Sequence, residues 1–272
     1  MTFQPVVPFG GNAGWAFLQR TRESQEDAFQ QSAALQRDVA YFRANIGGIT
    51  SAEDLVDDRR LLNVALGAFG LAEDIDNKFF IRKTLEEGTL RDDSLANRLS
   101  DKRYFTMAEA FGFDLSPPRT VVGGFADPIV QAFQERSFEV AVGNQNPDMR
   151  SALTFARDIG DLAERGLSGE AAWFTVMATP PLRTVFERAF SLPIEIGTLD
   201  VDRQREIFEE KANQFFGSPD VAQFTDPEKQ DELLRRFLAQ SELQGGVSPT
   251  TRGSAALAIL QASATPQFGI VL

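Results

Sequence analysis

The most regular pattern of apolar and polar positions lies between Asp58 and Phe113. One phrase occurs there twice, L-L-N-V-A-L-G-A-F-G-L and Y-F-T-M-A-E-A-F-G-F. A shift of 42 positions lays Leu62 on Tyr104, Ala65 on Met107, Leu66 on Ala108 and Phe69 on Phe111. This i, i+3, i+4, i+7 spacing is the apolar face of one helix. Gly70 and Gly112 follow directly, where a helix C-terminus often requires a left-handed residue. A looser third copy, V-F-E-R-A-F-S-L at 185–192, puts Ser191 in the glycine's place. The phrase describes a short helix that buries its phenylalanine and stops.

The remaining pattern is also helical. Residues 1–20 read as an extended arm punctuated by Pro5, Pro8, Gly10 and Gly11. Phe9, Trp15 and Phe17 would pack it onto the body, or serve as exposed anchors for a partner. A long helix is expected from Thr21 or Ser24 to Ile46, with Ala28, Leu35, Val39, Phe42 and Ile46 on one face and Gly47-Gly48 as its stop. Ser51 with Asp54 forms a capping box that opens a helix running through Leu55 into Leu61–Phe69. Asp74 or Asp76 caps a helix holding Phe79, Phe80, Ile81 and Leu85, with Gly88 as its stop, and Asp101 opens the second copy. Residues 116–127, with Pro117-Pro118 and Gly123-Gly124, form a linker or surface loop between helical segments 21–115 and 128–245. Asp127-Pro128, Asn146-Pro147 and Asp226-Pro227 each start a helix. Residues 246–272 carry a short small-residue helix. No alternating strand of convincing length occurs. The expected fold is all-α: one long N-terminal helix and many short ones, bundled as one body or two helical subdomains.

Composition narrows function mostly by exclusion. The 272 residues include 24 Phe but 2 Tyr and 2 Trp, so aromatic mass serves burial. With no Cys and no His, a disulfide, a thiol nucleophile, a Ser-His-Asp triad and an imidazole acid–base are excluded. A formal charge of -12 opposes binding to nucleic acid, which rests on clustered Lys and Arg. No apolar run suffices for a membrane span, and no basic region precedes the arm as in a cleaved signal. The protein is therefore expected in the cytoplasm, or exported with its N-terminus uncleaved.

No phosphate-binding glycine loop or nucleophile elbow occurs. Asp74-Ile75-Asp76-Asn77 lacks the glycine and distant glutamate of a calcium loop and reads as helix capping. Acidic pairs such as Asp57-Asp58, Glu86-Glu87, Asp92-Asp93 and Glu209-Glu210 point to different helix faces and coat solvated surface rather than flank a substrate. No catalytic, metal or cofactor residue is expected. The segments V-P-F-G-G-N-A-G-W-A-F-L-Q-R-T, D-D-R-R-L-L-N-V-A-L-G-A-F-G-L and N-R-L-S-D-K-R-Y resemble an uncharacterised, mostly alphaproteobacterial family. That family is a domain of unknown function often encoded among flagellar genes, and the resemblance extends to about residue 240. It implies association with flagellar assembly or structure and brings no catalytic residues. The expectation is a non-enzymatic protein that binds other proteins, flagellar components among them, through Trp15, Phe17, Leu18 and Arg20 of the arm and Leu257 and Leu260 of the terminal segment. The alternatives are a wall-cleaving hydrolase using carboxylates alone, and a cytoplasmic export chaperone.

Overall fold

The computed structural model describes residues 3–164, 166 and 168–245. Among these it has thirteen α-helices and no β-strand, so the fold is all-α. In order they are α1 Gly11–Gln30, α2 Ala33–Asn45, α3 Ala52–Asp57, α4 Arg59–Ala68, α5 Lys78–Glu87, α6 Leu95–Arg98, α7 Lys102–Phe111 and α8 Ala126–Gly143. There follow α9 Pro147–Glu164, α10 Gly169–Ala178, α11 Pro180–Ala189, α12 Val201–Phe216 and α13 Pro227–Gly245.

Local chemistry explains most of the boundaries. Asp58 Oδ1 accepts from the N–H groups of Arg60 and Leu61 and starts α4, while its Oδ2 accepts from the Tyr41 hydroxyl at 2.7 Å. This cap breaks the continuous helix expected from Leu55 to Phe69. Asp101, Asp200 and Asp226 start α7, α12 and α13 in the same way, and Asn146 starts α9 with Pro147 in its first turn. The single long N-terminal helix is also corrected. Helix α1 begins at Gly11, ten residues earlier than Thr21, and the backbone bends at Gln31 and Ser32 before α2. Among the described residues of the arm, 3–10 are therefore the non-helical ones. On α5, Ile81 and Leu85 are buried while Phe79 is 71% exposed.

The repeated phrase forms α4 and α7, and Leu62, Ala65 and Leu66 are buried like their counterparts Tyr104, Met107 and Ala108. The phenylalanines ending the copies meet, Phe69 lying 6.3 Å from Phe111 between ring centroids. After α4, Gly70 takes φ 71°, and the N–H groups of Gly70 and Leu71 return to the carbonyls of Gly67 and Leu66. The third copy ends identically. Ser191 has φ 54°, Ser191 N bonds Arg188 O and Leu192 N bonds Glu187 O. Both are Schellman closures, with a non-glycine residue holding the left-handed position in the second.

Two apolar interiors result. The first gathers residues from α2 to α7 with Ile129, Val130 and Phe133 of α8. The second gathers Trp15 and Leu18 of α1, Phe138 and Val142 of α8, and residues of α9 to α13 around Phe186. The Phe186 ring lies 5.1–5.3 Å from those of Trp173, Phe224 and Phe155. Helix α8 belongs to both. At 3.6 residues per turn, Phe133 and Phe138 project about 140° apart around its axis. Phe29 packs on both interiors, its ring edge-on to Phe138 with the centroids 5.8 Å apart.

Ser191 is exposed, and glycine would occupy its left-handed backbone without the Cβ penalty. Ser191→Gly is expected to stabilise the protein by about 1 kcal/mol, read as a higher urea midpoint with unchanged slope. A lower midpoint would show that the serine hydroxymethyl group has a role the closure does not explain.

Candidate functional site

Among the described residues, those expected to anchor a partner are not all at the surface. Trp15 is 5% and Leu18 0% exposed, both inside the second interior. That burial corrects the expectation that they stand free on an arm. Phe17 is half-buried, while Arg20 is exposed and donates its Nε to Ala16 O. Leu257 and Leu260 lie outside the described residues. Phe9, expected to pack on the body, is 59% exposed.

The arm itself is tied down by two glutamine side chains. Gln25 donates to Val6 O at 3.2 Å and accepts from Val6 N at 2.6 Å, the pairing a neighbouring strand would supply. Gln145 accepts from Val7 N and donates to Pro5 O. A Cβ at Gly14 would lie 2.1 Å from Phe9 O, so that position needs glycine for the turn into α1.

A cleft of about 770 Å³ lies where the two interiors meet over the C-terminal half of α8. The end of α4 and the start of α7 form one wall, α9 and the α10–α11 junction the other. It is lined by five basic residues (Lys102, Arg103, Arg136, Arg150, Arg157) and five acidic ones (Glu73, Asp101, Glu139, Asp158, Asp161). This balance contrasts with the net charge of -12 for the whole protein. Phe133, Val140 and Leu182 add apolar surface.

Two sets of interactions fix the cleft's shape. At its first wall, the C-terminal carbonyls of α4 would lack partners, and arginines supply them. Arg136 donates its Nε to Ala68 O at 2.6 Å, and Arg103 donates Nη1 to Gly70 O while its Nε and Nη2 hold the Asp101 carboxylate. Tyr104 adds a hydroxyl bond to Asp74 at 2.6 Å. On its floor, α8 and α9 share an ion network. Glu139, 4% exposed, accepts from Thr154 Oγ1 at 3.0 Å and from Arg157 Nη1. Arg157 in turn holds Asp158 through Nε and Nη2 at 2.9 and 2.8 Å.

Burial pushes the Glu139 carboxyl above the usual carboxylate range, against the opposing pull of Arg157 and Thr154. Burial alone would lower Arg157, but Asp158 and Glu139 reverse this and hold it above the ordinary arginine value. The asymmetry has a geometric cause, since Arg157 serves two acids while Glu139 has a share of one arginine. Both oxygens of Glu139 are thus occupied. Among the described residues no group of three or more His, Cys, Asp or Glu is placed to hold a metal ion.

The network was missed in the sequence because Glu139 and Arg157 sit on separate helices 18 residues apart, with no spacing rule joining them. The one available signal was Glu139 itself, an acid adjoining Phe138 on a face otherwise apolar.

Fold and site together define an all-α protein with two interiors sharing one helix and a charge-balanced cleft between them. A family model for proteins of unknown function, DUF1217, matches residues 68–230, more than half of the sequence, and the protein belongs to that family. It is also similar to the crystal structure of protein AGR_C_984 from Agrobacterium tumefaciens, with 27% identity and a TM-score of 0.70 over 89% of this protein and 99% of that one. No curated protein matches the sequence.

Removing Glu139 takes from the buried Arg157 one of its two acids, and removing Arg157 leaves the Glu139 carboxylate buried without its arginine. Glu139→Ala is expected to cost about 3–5 kcal/mol, and Glu139→Met combined with Arg157→Leu less than either single change. With its pKa raised by folding, Glu139 binds its proton more tightly in the native state. The wild type therefore loses stability as pH rises from the ordinary carboxylate value through the raised one. The double variant should lack this component in urea denaturation across that range. Additive single costs, or identical pH profiles, would contradict the coupling.

Proposed function

We propose that the protein is a non-enzymatic binding protein whose cleft receives a segment of a protein partner, and that it works in flagellar assembly or as part of the flagellar apparatus. The observation that carries the binding role is the cleft. Both interiors build it, its volume of about 770 Å³ accommodates several side chains, and its mixed polar and apolar lining is that of a recognition site. Its most buried acid is engaged on both oxygens, an arrangement suited to holding a shape rather than to moving protons. The flagellar assignment rests on the family resemblance alone.

Among the described residues no helix is long and apolar enough to cross a membrane, so membrane insertion has no part in this proposal. The wall-cleaving hydrolase is a second reading, favoured by one observation, the raised proton affinity of Glu139 in a cleft.

The test places a photo-cross-linking amino acid at Thr106, an exposed residue on the cleft wall, and at the exposed Glu228 of α13 as control. In motile cells, Thr106 should cross-link to a flagellar component and Glu228 should not. Thr106→Trp, which narrows the cleft from its exposed rim, should reduce both cross-linking and motility. Equal cross-linking from both positions, or unchanged motility in Thr106→Trp, would contradict the proposal. Release of soluble fragments from purified cell wall by the protein would replace it with the hydrolase reading.

A further inference from the structure

We propose that Arg136 is the anchor of the cleft and takes a carboxylate of the bound segment, from an aspartate or glutamate residue or a free terminal carboxylate. The proposal rests on the cleft being the protein's binding site, and it names the chemistry recognised there.

Arginine presents a rigid fork of N–H donors that must find acceptors or water. In the cleft most basic groups are already engaged. Arg157 is spent on Glu139 and Asp158, Arg103 on Asp101 and Gly70 O, and Lys102 on Asn97 O. Arg136 is different. Its Nε is fixed on Ala68 O, and neither Nη group has a protein acceptor or an ion-pair partner among the described residues. The bond to Ala68 holds the guanidinium in one orientation while both Nη groups keep access to the cleft.

Such a group is costly to leave as it stands. Arg136 is partly buried, and its burial together with the neighbouring Arg157 pushes its pKa below the ordinary arginine value. A carboxylate arriving at the two Nη groups would form the paired N–H···O contact for which guanidinium is shaped, and would offset the repulsion from Arg157. Phe133 and Val140 stand on the same helix beside Arg136, where they would receive the methylenes of an acidic residue. Arg150, on the opposite wall and also without an ion-pair partner among the described residues, adds attraction at longer range.

The choice of carboxylate over phosphate follows from the acids nearby. Glu139, Asp158 and Asp161 face the same space and act on Arg136 electrostatically. A doubly charged phosphate would be repelled by them twice as strongly as a singly charged carboxylate.

The test uses the full-length protein, ¹⁵N-labelled, with sodium acetate and inorganic phosphate as probes at constant ionic strength. The backbone amides of Gly67, Ser137 and Thr154, which surround Arg136 in the cleft lining, report on the site. Acetate should give saturable shifts at these amides. Affinity should fall at least about tenfold in Arg136→Gln, less in Arg136→Lys, and not at all in Arg20→Gln. Spectral dispersion confirms that each variant is folded, and Arg136→Lys keeps the question answerable if Arg136→Gln is not. Non-saturable acetate shifts, saturation by phosphate alone, or unchanged affinity in both Arg136 variants would overturn the proposal. Absence of saturable acetate binding to the wild-type protein, with Thr106 cross-linking observed, sinks only the carboxylate assignment. Saturable acetate binding with no flagellar cross-link sinks the functional proposal and leaves the anion site standing.

Discussion

Helix α8 has to satisfy two interiors at once, and the rest of the structure follows from that demand. Ile129, Val130 and Phe133 commit one face of its first half to the helices before it. Phe138 and Val142 commit the opposite face of its second half to the helices after it. Beyond Phe133 the first interior no longer covers its own face of the helix, which turns mainly polar. It carries Arg136, Ser137 and Val140, with Glu139 on its flank, and so becomes the floor of the cleft. Site and fold thus share one cause: a helix long enough to outrun its first partner.

The helix ends around the cleft complete this logic. A helix that stops beside a concavity exposes carbonyl groups, and α4 answers with a Schellman closure, Arg103 and Arg136. Arg136 serves two purposes, closing α4 with Nε and facing the cleft with its Nη groups. The Glu139–Arg157–Asp158 network does comparable work across the floor, joining α8 to α9. Such networks stabilise weakly when compared with apolar packing of the same volume. What this one adds to their apolar packing is a set of directed bonds that fixes the relative position of the two helices.

Much of the fold was legible in the sequence, because short helices announce themselves locally. The i, i+3, i+4, i+7 phrase located α4 and α7, its glycines marked their stops, and Asp101, Asn146 and Asp226 carried the caps in their own carboxylate and amide oxygens, whereas the cap at Asp58 was hidden inside an apparently continuous helix. Even the third copy was visible through Ser191, which holds the left-handed angle usually left to glycine. Tertiary context defeated the reading elsewhere. Pro and Gly made residues 11–20 look extended, yet Gly14 is needed there only because Phe9 O approaches a helix that has already started. Trp15 and Leu18 looked available to a partner because their burying surface, on α8 to α13, comes more than a hundred residues later. The cleft was illegible for the same reason. Apart from Glu73 and the cap residue Asp101, its charges come from α7, α8 and α9, and no periodicity within one helix shows which of them will face each other.

The central claim is that sharing α8 couples the two interiors into one cooperative unit. Native-state hydrogen exchange on Phe138→Ala tests it most directly, since the truncated ring belongs to the second interior and should cost about 3–5 kcal/mol. Coupling through α8 predicts equal losses of protection in α4, which touches only the first interior, and in α11, which lies wholly in the second. Wild-type protection retained in α4 while α11 loses it would show two independent units and contradict the account.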